Sequence, residues 1–139
     1  MSRRFRYAGG CHCGNIEVTL ASDRSPAELG TRTDTCSFCA KHGSLYTSDP
    51  AGEVELAIRD PSHVQRYRFG TKTAEFLICT TCGTFVAATM DERFAVVNIN
   101  VLAARAEFLA TPVHVADLDA ESLEARLARR RARWTPLRR

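Results

Sequence analysis

Six cysteines fall in three short pairs, Cys11-His12-Cys13, Cys36-Ser37-Phe38-Cys39 and Cys79-Thr80-Thr81-Cys82. Each pair puts two thiols on a tight turn where one tetrahedral ion can reach both, and zinc–sulfur bonds of about 2.3 Å leave little slack. Two pairs together make a closed four-thiolate zinc site. The middle pair, with the carboxylate of Asp34 two residues upstream, offers three ligands. A metal held by three protein ligands keeps a fourth position for water or substrate, the arrangement that catalysis uses and structural sites avoid. Gly83, directly after Cys82, can take the positive φ of a tight metal-binding turn, which makes Cys79-x-x-Cys82-Gly83 the strongest local signal. The 65 residues between Cys13 and Cys79 exceed the spacing of common zinc fingers. Spacing alone also lets Cys36 and Cys39 join either other pair.

The remaining polar candidates divide by position. Asp34, in a threonine-rich stretch, either caps a turn through its side chain or ligates zinc through oxygen; two thiolates and a carboxylate bind zinc more weakly than three thiolates. His42, three residues after Cys39, can complete that site or act as an acid or base beside it, imidazole being suited to both roles near neutral pH; the ordinary alternative is a solvated loop histidine. His12 points away from a metal shared by its neighbours, and His63 and His114 follow turn or proline signals without ligand spacing, which reads as structural or surface placement.

A chain of 139 residues with 45% hydrophobic content is the length of one ordinary domain and can bury a core without covalent staples. The residues after the basic start, Ser2-Arg3-Arg4-Phe5-Arg6, form no apolar h-region, and no stretch approaches the roughly 18 apolar residues of a membrane span. The expectation is a soluble, cytoplasmic protein without membrane contact. Reducing conditions there favour metal binding over three disulfides. The net charge of +3 comes from the end of the chain: residues 121–139 hold seven arginines against Glu121 and Glu124, leaving residues 1–120 slightly acidic. A nearly neutral globular part gives no broad footprint for nucleic acid, whereas an arginine-rich tail alone can touch phosphate.

The elements that must position these groups are mostly strands. Ile16, Val18 and Leu20 alternate with Glu17 and Thr19, and Val54, Leu56 and Ile58 with Glu53, Glu55 and Ala57, the period of half-buried strands. Further strands are expected over 44–48, 64–69, 74–79, 84–89 and 94–101. Turns fall at Asp49-Pro50-Ala51-Gly52, Asp60-Pro61-Ser62, Gly70-Thr71-Lys72 and Met90-Asp91-Glu92-Arg93. Short connections imply antiparallel neighbours in one or two packed sheets. From Asp119, a plausible N-cap, a short C-terminal helix follows, with Glu121 and Glu124 in its first turns, Leu123 and Leu127 on one face, and arginines crowding its end as the macrodipole favours. The division expected is a zinc-binding β domain over 1–118, with 119–139 as its helix and arginine-rich tail.

The ordered motifs Gly10-Cys11-His12-Cys13-Gly14, Cys36-Ser37-Phe38-Cys39 with Gly43-Ser44, Tyr67-Arg68-Phe69-Gly70 and Cys79-Thr80-Thr81-Cys82-Gly83 resemble the glutathione-dependent formaldehyde-activating enzyme and centromere protein V family. The resemblance covers about residues 5–105. It implies a mainly β, Mss4-like fold of antiparallel sheets around a structural zinc held by Cys11, Cys13, Cys79 and Cys82. It also implies a second, catalytic-type zinc in a Cys-x-Cys-x-x-Cys run, which here reads Asp34-Thr35-Cys36-Ser37-Phe38-Cys39, with aspartate at the first cysteine position. Members are carbon–sulfur lyases joining formaldehyde to glutathione as S-hydroxymethylglutathione.

The leading expectation is therefore a zinc-dependent carbon–sulfur lyase acting on a thiol adduct of a small aldehyde, with Asp34, Cys36, Cys39 and His42 at its catalytic site. Glutathione is anionic, so its site needs cations, for which Arg32, Lys41 and Lys72 are the loop candidates. The contrasting expectation is a non-catalytic zinc-stabilised binding domain whose basic tail touches nucleic acid or protein. Edge strands in so small a sheet protein could also pair two copies.

Overall fold

The computed structural model describes residues 3–138. In chain order its elements are β1 (Phe5–Gly10), β2 (Ile16–Ser22), the one-turn helix α1 (Pro26–Leu29), β3 (Thr31–Asp34), α2 (Ser37–His42), β4 (Tyr46–Thr47) and β5 (Glu53–Ile58). There follow β6 (Val64–Tyr67), β7 (Glu75–Cys79), β8 (Phe85–Met90), β9 (Phe94–Asn98), α3 (Arg105–Leu109), β10 (Val113–Ala116), α4 (Leu123–Arg133) and β11 (Thr135–Pro136). Among the described residues, no helix is long and apolar enough to cross a membrane.

Two sheets carry the chain. The smaller runs β1-β2-β5, and the larger runs β10-β3-β4-β9-β8-β7-β6 with β11 added against β9. Ile16, Val18, Leu20 and Val54 are at most 1% exposed, so the alternating pattern of β2 and the start of β5 becomes the inner face of the small sheet. That face packs on Val86 and Val97 of the large sheet and on Ile99 just beyond it. The opposite face of the large sheet buries a second cluster, Phe38, Tyr46, Phe85, Met90, Val96 and Trp134, under α2 and α4. Burial on both faces explains why β8 and β9 read as nearly continuous apolar runs.

A mainly β fold of mostly antiparallel sheets holds, with one exception to the antiparallel expectation. β10 lies parallel to β3, pairing Val113 with Thr31 and Ala116 with Asp34. The whole domain between them acts as the crossover, so short local connections say nothing about this pair. Expected strands at 44–48 and 94–101 shorten to Tyr46–Thr47 and Phe94–Asn98, because Ile99–Val101 tightens into a 3₁₀ turn.

The C-terminal helix starts later than expected. Ser122, not Asp119, is its N-cap and accepts a bond from the Ala125 N–H. Leu127 packs against the second core, but Leu123 is 48% exposed, so the two leucines do not share a buried face. Nor does the segment end as a free tail. After α4 the chain returns to the sheets: Thr135 pairs with Ala95, the Leu137 N–H reaches the Arg93 carbonyl and the Arg138 N–H reaches the Val54 carbonyl.

Candidate metal centre and adjoining cavity

Cys11 and Cys13 sit on the β1–β2 turn, and Cys79 and Cys82 on the β7–β8 turn. The left-handed residues Gly14 (φ 86°) and Gly83 (φ 81°) close these turns, and the Gly83 N–H donates to the Cys79 carbonyl at 2.7 Å. The four sulfurs all lie within 4.8 Å of one another. Tetrahedral zinc with bonds of about 2.3 Å requires sulfur–sulfur separations of about 3.8 Å. The Cys11–Cys13 and Cys13–Cys79 separations are 3.8 and 3.5 Å, so the donor set fits such an ion. The protein supplies further order: the Ile16 N–H donates to the Cys11 sulfur at 3.2 Å. So crowded a set does not ionise together unaided. The Asn15 backbone lowers the Cys13 pKa, but the neighbouring sulfurs, Cys79 first, outweigh it and push the value up to about 11. A cation removes that penalty.

The middle group forms where β3 meets α2. Asp34 ends β3, Cys36 is the N-cap of α2, and the Cys36 sulfur accepts from the Cys39 N–H at 3.3 Å. The Asp34 Oδ1 accepts from the Cys36 N–H at 2.9 Å, the turn-capping role. The same carboxylate lies within reach of both sulfurs, and the ligand atoms of Asp34, Cys36 and Cys39 all fall within 4.8 Å. Both readings of Asp34 are therefore compatible in one geometry: one oxygen caps while the carboxylate as a whole faces the thiols. The Cys36 and Cys39 sulfurs stand 3.0 Å apart, closer than the roughly 3.8 Å of two thiolates on one tetrahedral ion, so an ion held there would spread them. Burial pushes both thiols up, Cys39 further.

Beneath Cys39 lies Tyr46, which sequence reasoning missed. Its hydroxyl is 3.1 Å from the Cys39 sulfur and 3.1 Å from the Ser44 hydroxyl. Burial, followed by the neighbouring Cys39, raises the Tyr46 phenol and keeps its proton. No spacing rule links residues 39 and 46; the contact arises because α2 folds back over β4.

Two cavities open beside this group. A small one of about 80 Å³ is bounded by Asp34, Cys36, Phe69, Phe76 and arginines of α4. A larger one of about 880 Å³ continues from Asp34 past Tyr46 and Phe76 to Trp134, between β3 and α4. Four of the arginines that read as a basic tail, Arg126, Arg129, Arg130 and Arg133, line these walls. Arg130 is 9% exposed, lies over the Trp134 ring at 5.1 Å and donates to the Thr73 hydroxyl at 2.8 Å. Arg129 and Arg126 grip the Glu121 carboxylate at 2.8 and 3.3 Å. Arg32 donates to the Ser48 hydroxyl at 2.6 Å. Burial, then the nearby charges of Arg129 and Arg133, lowers the Arg32 pKa to about 10.

Of the three expected cations, Arg32 lines the large cavity, from a strand rather than a loop. Lys41 and Lys72 are exposed and line neither cavity. His42 is likewise outside both. Its ring stacks on Phe38 at 4.1 Å and its Nδ1 lies 3.0 Å from the Phe38 carbonyl. His12 is exposed, and His63 lies 3.7 Å from Asp60. His114, read as structural or surface, borders the large cavity from β10.

A two-sheet β domain clipped at one end by four cysteines able to hold a metal, with an aspartate–cysteine–cysteine group at a cavity, is the class that fold and site define. The family model described as glutathione-dependent formaldehyde-activating enzyme matches residues 6–115, and the chain belongs to that family. Among solved structures, the chain is similar to a crystal structure of a Rhodobacter sphaeroides protein determined as a structural genomics target. Identity is 24% and the TM-score 0.63, over 78% of this chain and 99% of that one, a likeness of fold. No curated protein matches the sequence significantly.

Proposed function

We propose that this protein is a zinc-dependent carbon–sulfur lyase that makes or breaks a thiol adduct of a small aldehyde. The observation that carries the reading is the convergence of the Asp34, Cys36 and Cys39 ligand atoms within 4.8 Å at the edge of a cavity. Three ligands leave a coordination position for substrate, while Cys11, Cys13, Cys79 and Cys82 hold a structural ion. Zinc bound by the three would supply Lewis acidity to an aldehyde oxygen and favour the thiolate form of a bound thiol.

The chain's own residues do the rest. Tyr46 keeps its proton, and its O–H would donate across 3.1 Å to a metal-bound Cys39 thiolate, which can only accept, fixing that ligand's orientation. Phe69 and Phe76 border Cys36 and limit water at the reacting centre. Arg129 and Arg130 place positive charge where the anionic end of a thiol substrate would sit. A reducing compartment, the cytoplasm, suits the six free cysteines.

The test combines metal content with turnover. Elemental analysis of protein purified without chelator should give two zinc ions per chain in wild type and one in Asp34→Ala. Formation of the thiol adduct from formaldehyde and glutathione, or another small thiol, should disappear in Cys36→Ala and Cys39→Ala with folding intact. Unchanged turnover in both cysteine variants would falsify the lyase reading.

A further inference from the structure

The large cavity holds a charge imbalance that the chain itself does not resolve. Arg24, Arg32, Arg129, Arg130 and Arg133 all line it, and Asp34 is the one carboxylate among its lining residues. Asp34 already accepts from the Cys36 N–H and faces two thiols. Glu121 answers Arg129 and Arg126. Among the described residues, no carboxylate pairs within 4.0 Å with Arg24, Arg32, Arg130 or Arg133.

Two of these guanidiniums, those of Arg32 and Arg130, are built into the wall, while Arg24 and Arg133 reach it from the exposed rim. Arg32 is held by Ser48, whose own hydroxyl donates to the Arg133 carbonyl at 2.8 Å. Arg130 is held by Thr73 and Trp134 and is 9% exposed, and its Nε has no hydrogen-bond partner. An orphaned buried donor carries a desolvation cost, and clustered cations carry mutual repulsion. Both are relieved by an anion in the cavity, for which planar guanidiniums are the preferred partners.

We infer that this cavity binds a compact dianionic group, a phosphate monoester or a closely spaced dicarboxylate, on the substrate whose other end reaches Asp34 and Cys36. The inference rests on the lyase reading for the second half of that statement and narrows its substrate class. Glutathione fits the wall less well. Its two carboxylates are separated by the length of a tripeptide, and its ammonium group would need an acceptor where five arginines face one committed aspartate. A volume of about 880 Å³ accommodates a phosphorylated or dicarboxylic metabolite of moderate size. The helix that supplies three of the five arginines, Arg129, Arg130 and Arg133, lies beyond the family-matched residues 6–115, whereas Arg24 and Arg32 lie within them, so the wall joins a family-matched face to one from the end of the chain.

The experiment is isothermal titration of the zinc-loaded full chain, without turnover, using glycerol 3-phosphate, succinate, glutathione and a short DNA duplex as probes. Binding of glycerol 3-phosphate or succinate at least tenfold tighter than glutathione, weakened at least tenfold in Arg133→Ala and in Arg32→Met, with zinc content unchanged, is the expected result. Whichever of the two binds tighter names the source of the double charge. Arg133 is exposed, so its variant keeps the test decisive should Arg32→Met fold poorly. The inference is overturned by no binding of either dianion up to 10 mM, by binding insensitive to Arg133→Ala, or by duplex DNA or glutathione outcompeting both. Dianion binding alongside absent lyase activity upholds the subsite and sinks only the reaction, which separates the two failures.

Discussion

The Tyr46 hydroxyl stands 3.1 Å from the Cys39 sulfur and equally far from the Ser44 hydroxyl. A phenol that donates a hydrogen bond to a ligating sulfur disperses the sulfur's charge and fixes its direction, and losing such a support commonly costs 10–100-fold in metal affinity. Tyr46→Phe should therefore keep the metal held by Cys11, Cys13, Cys79 and Cys82 while weakening the Asp34–Cys36–Cys39 site about tenfold. Chelator competition on cobalt-substituted protein reads the two sites separately through their thiolate bands. Equal chelator sensitivity of that site in both proteins would contradict the role given to Tyr46.

The two metal groups should differ in their hold on the fold. The four-cysteine cluster joins the β1–β2 turn of one sheet to the β7–β8 turn of the other, so binding free energy there is folding free energy. Cys79→Ala should lower Tm by about 10 °C or more, since roughly 3 kcal/mol corresponds to that shift in a domain of this size. Cys36→Ala, at a cavity edge, should cost about a third as much. Differential scanning calorimetry on both variants decides, and a reversed order would mean the structural roles are exchanged.

Glu121 gives a pH signature. Hydrogen bonds from Arg129, and those from Arg126, hold its carboxyl below the usual 4.5 despite partial burial. A depressed acid stabilises the fold fully above its unfolded pKa and loses that contribution as pH falls through the folded value. Glu121→Gln should lower stability by about 1 kcal/mol at pH 7. The gap to wild type should stay constant down to about pH 4.5 and close below it. Urea midpoints between pH 7 and 3 check this; a gap that persists at pH 3 would assign the effect to packing.

Gly9 is constrained by approach rather than by φ. A Cβ there would fall 1.9 Å from the Val101 carbonyl oxygen and 2.8 Å from the Leu102 Cα, both backbone atoms. Neither can rotate away, and the Ala103 N–H bond to the Ala8 carbonyl holds the same seam. Gly9→Ala should cost about 3 kcal/mol, at the upper end of overpacking effects. Denaturant unfolding measures it, with Gly43→Ala, where nothing lies within 4 Å but φ is 58°, as a milder control.

Period two was enough to find β2, β5 and most of the large sheet, because each buries one face against a neighbour: Ile16, Val18, Leu20 and Val54 are all inside. The resemblance assigned the outer cysteine pairs to each other, and the sulfurs meet. Three features escaped. β3 is Thr-Arg-Thr-Asp, polar throughout, and its parallel partner β10 leaves Val113 and Val115 42% and 60% exposed, so neither follows a one-sided pattern. α2 spans six residues and is capped by a thiol, outside the usual N-cap chemistry. The arginines of α4 read as a basic tail because periodicity names a face without naming its neighbour. Here the neighbours are Trp134, Thr73, Glu121 and a cavity.

The helix α4 is moored at both ends, by β10 on β3 before it and by β11 on β9 after it, yet it lies outside the residues that define the family. On the proposed anion site, three of the five arginines that would select a ligand thereby come from a stretch of chain apart from the cysteines, with Arg24 and Arg32 supplying the rest. If the cavity binds the proposed dianion, substitutions along α4 would change which anion is admitted without touching a single thiol or the seam between the sheets. On that reading, a protein arranged this way would change the anion it admits by rewriting the cavity-facing positions 129 and 133, while Leu127 and Arg130 keep the helix seated on the scaffold.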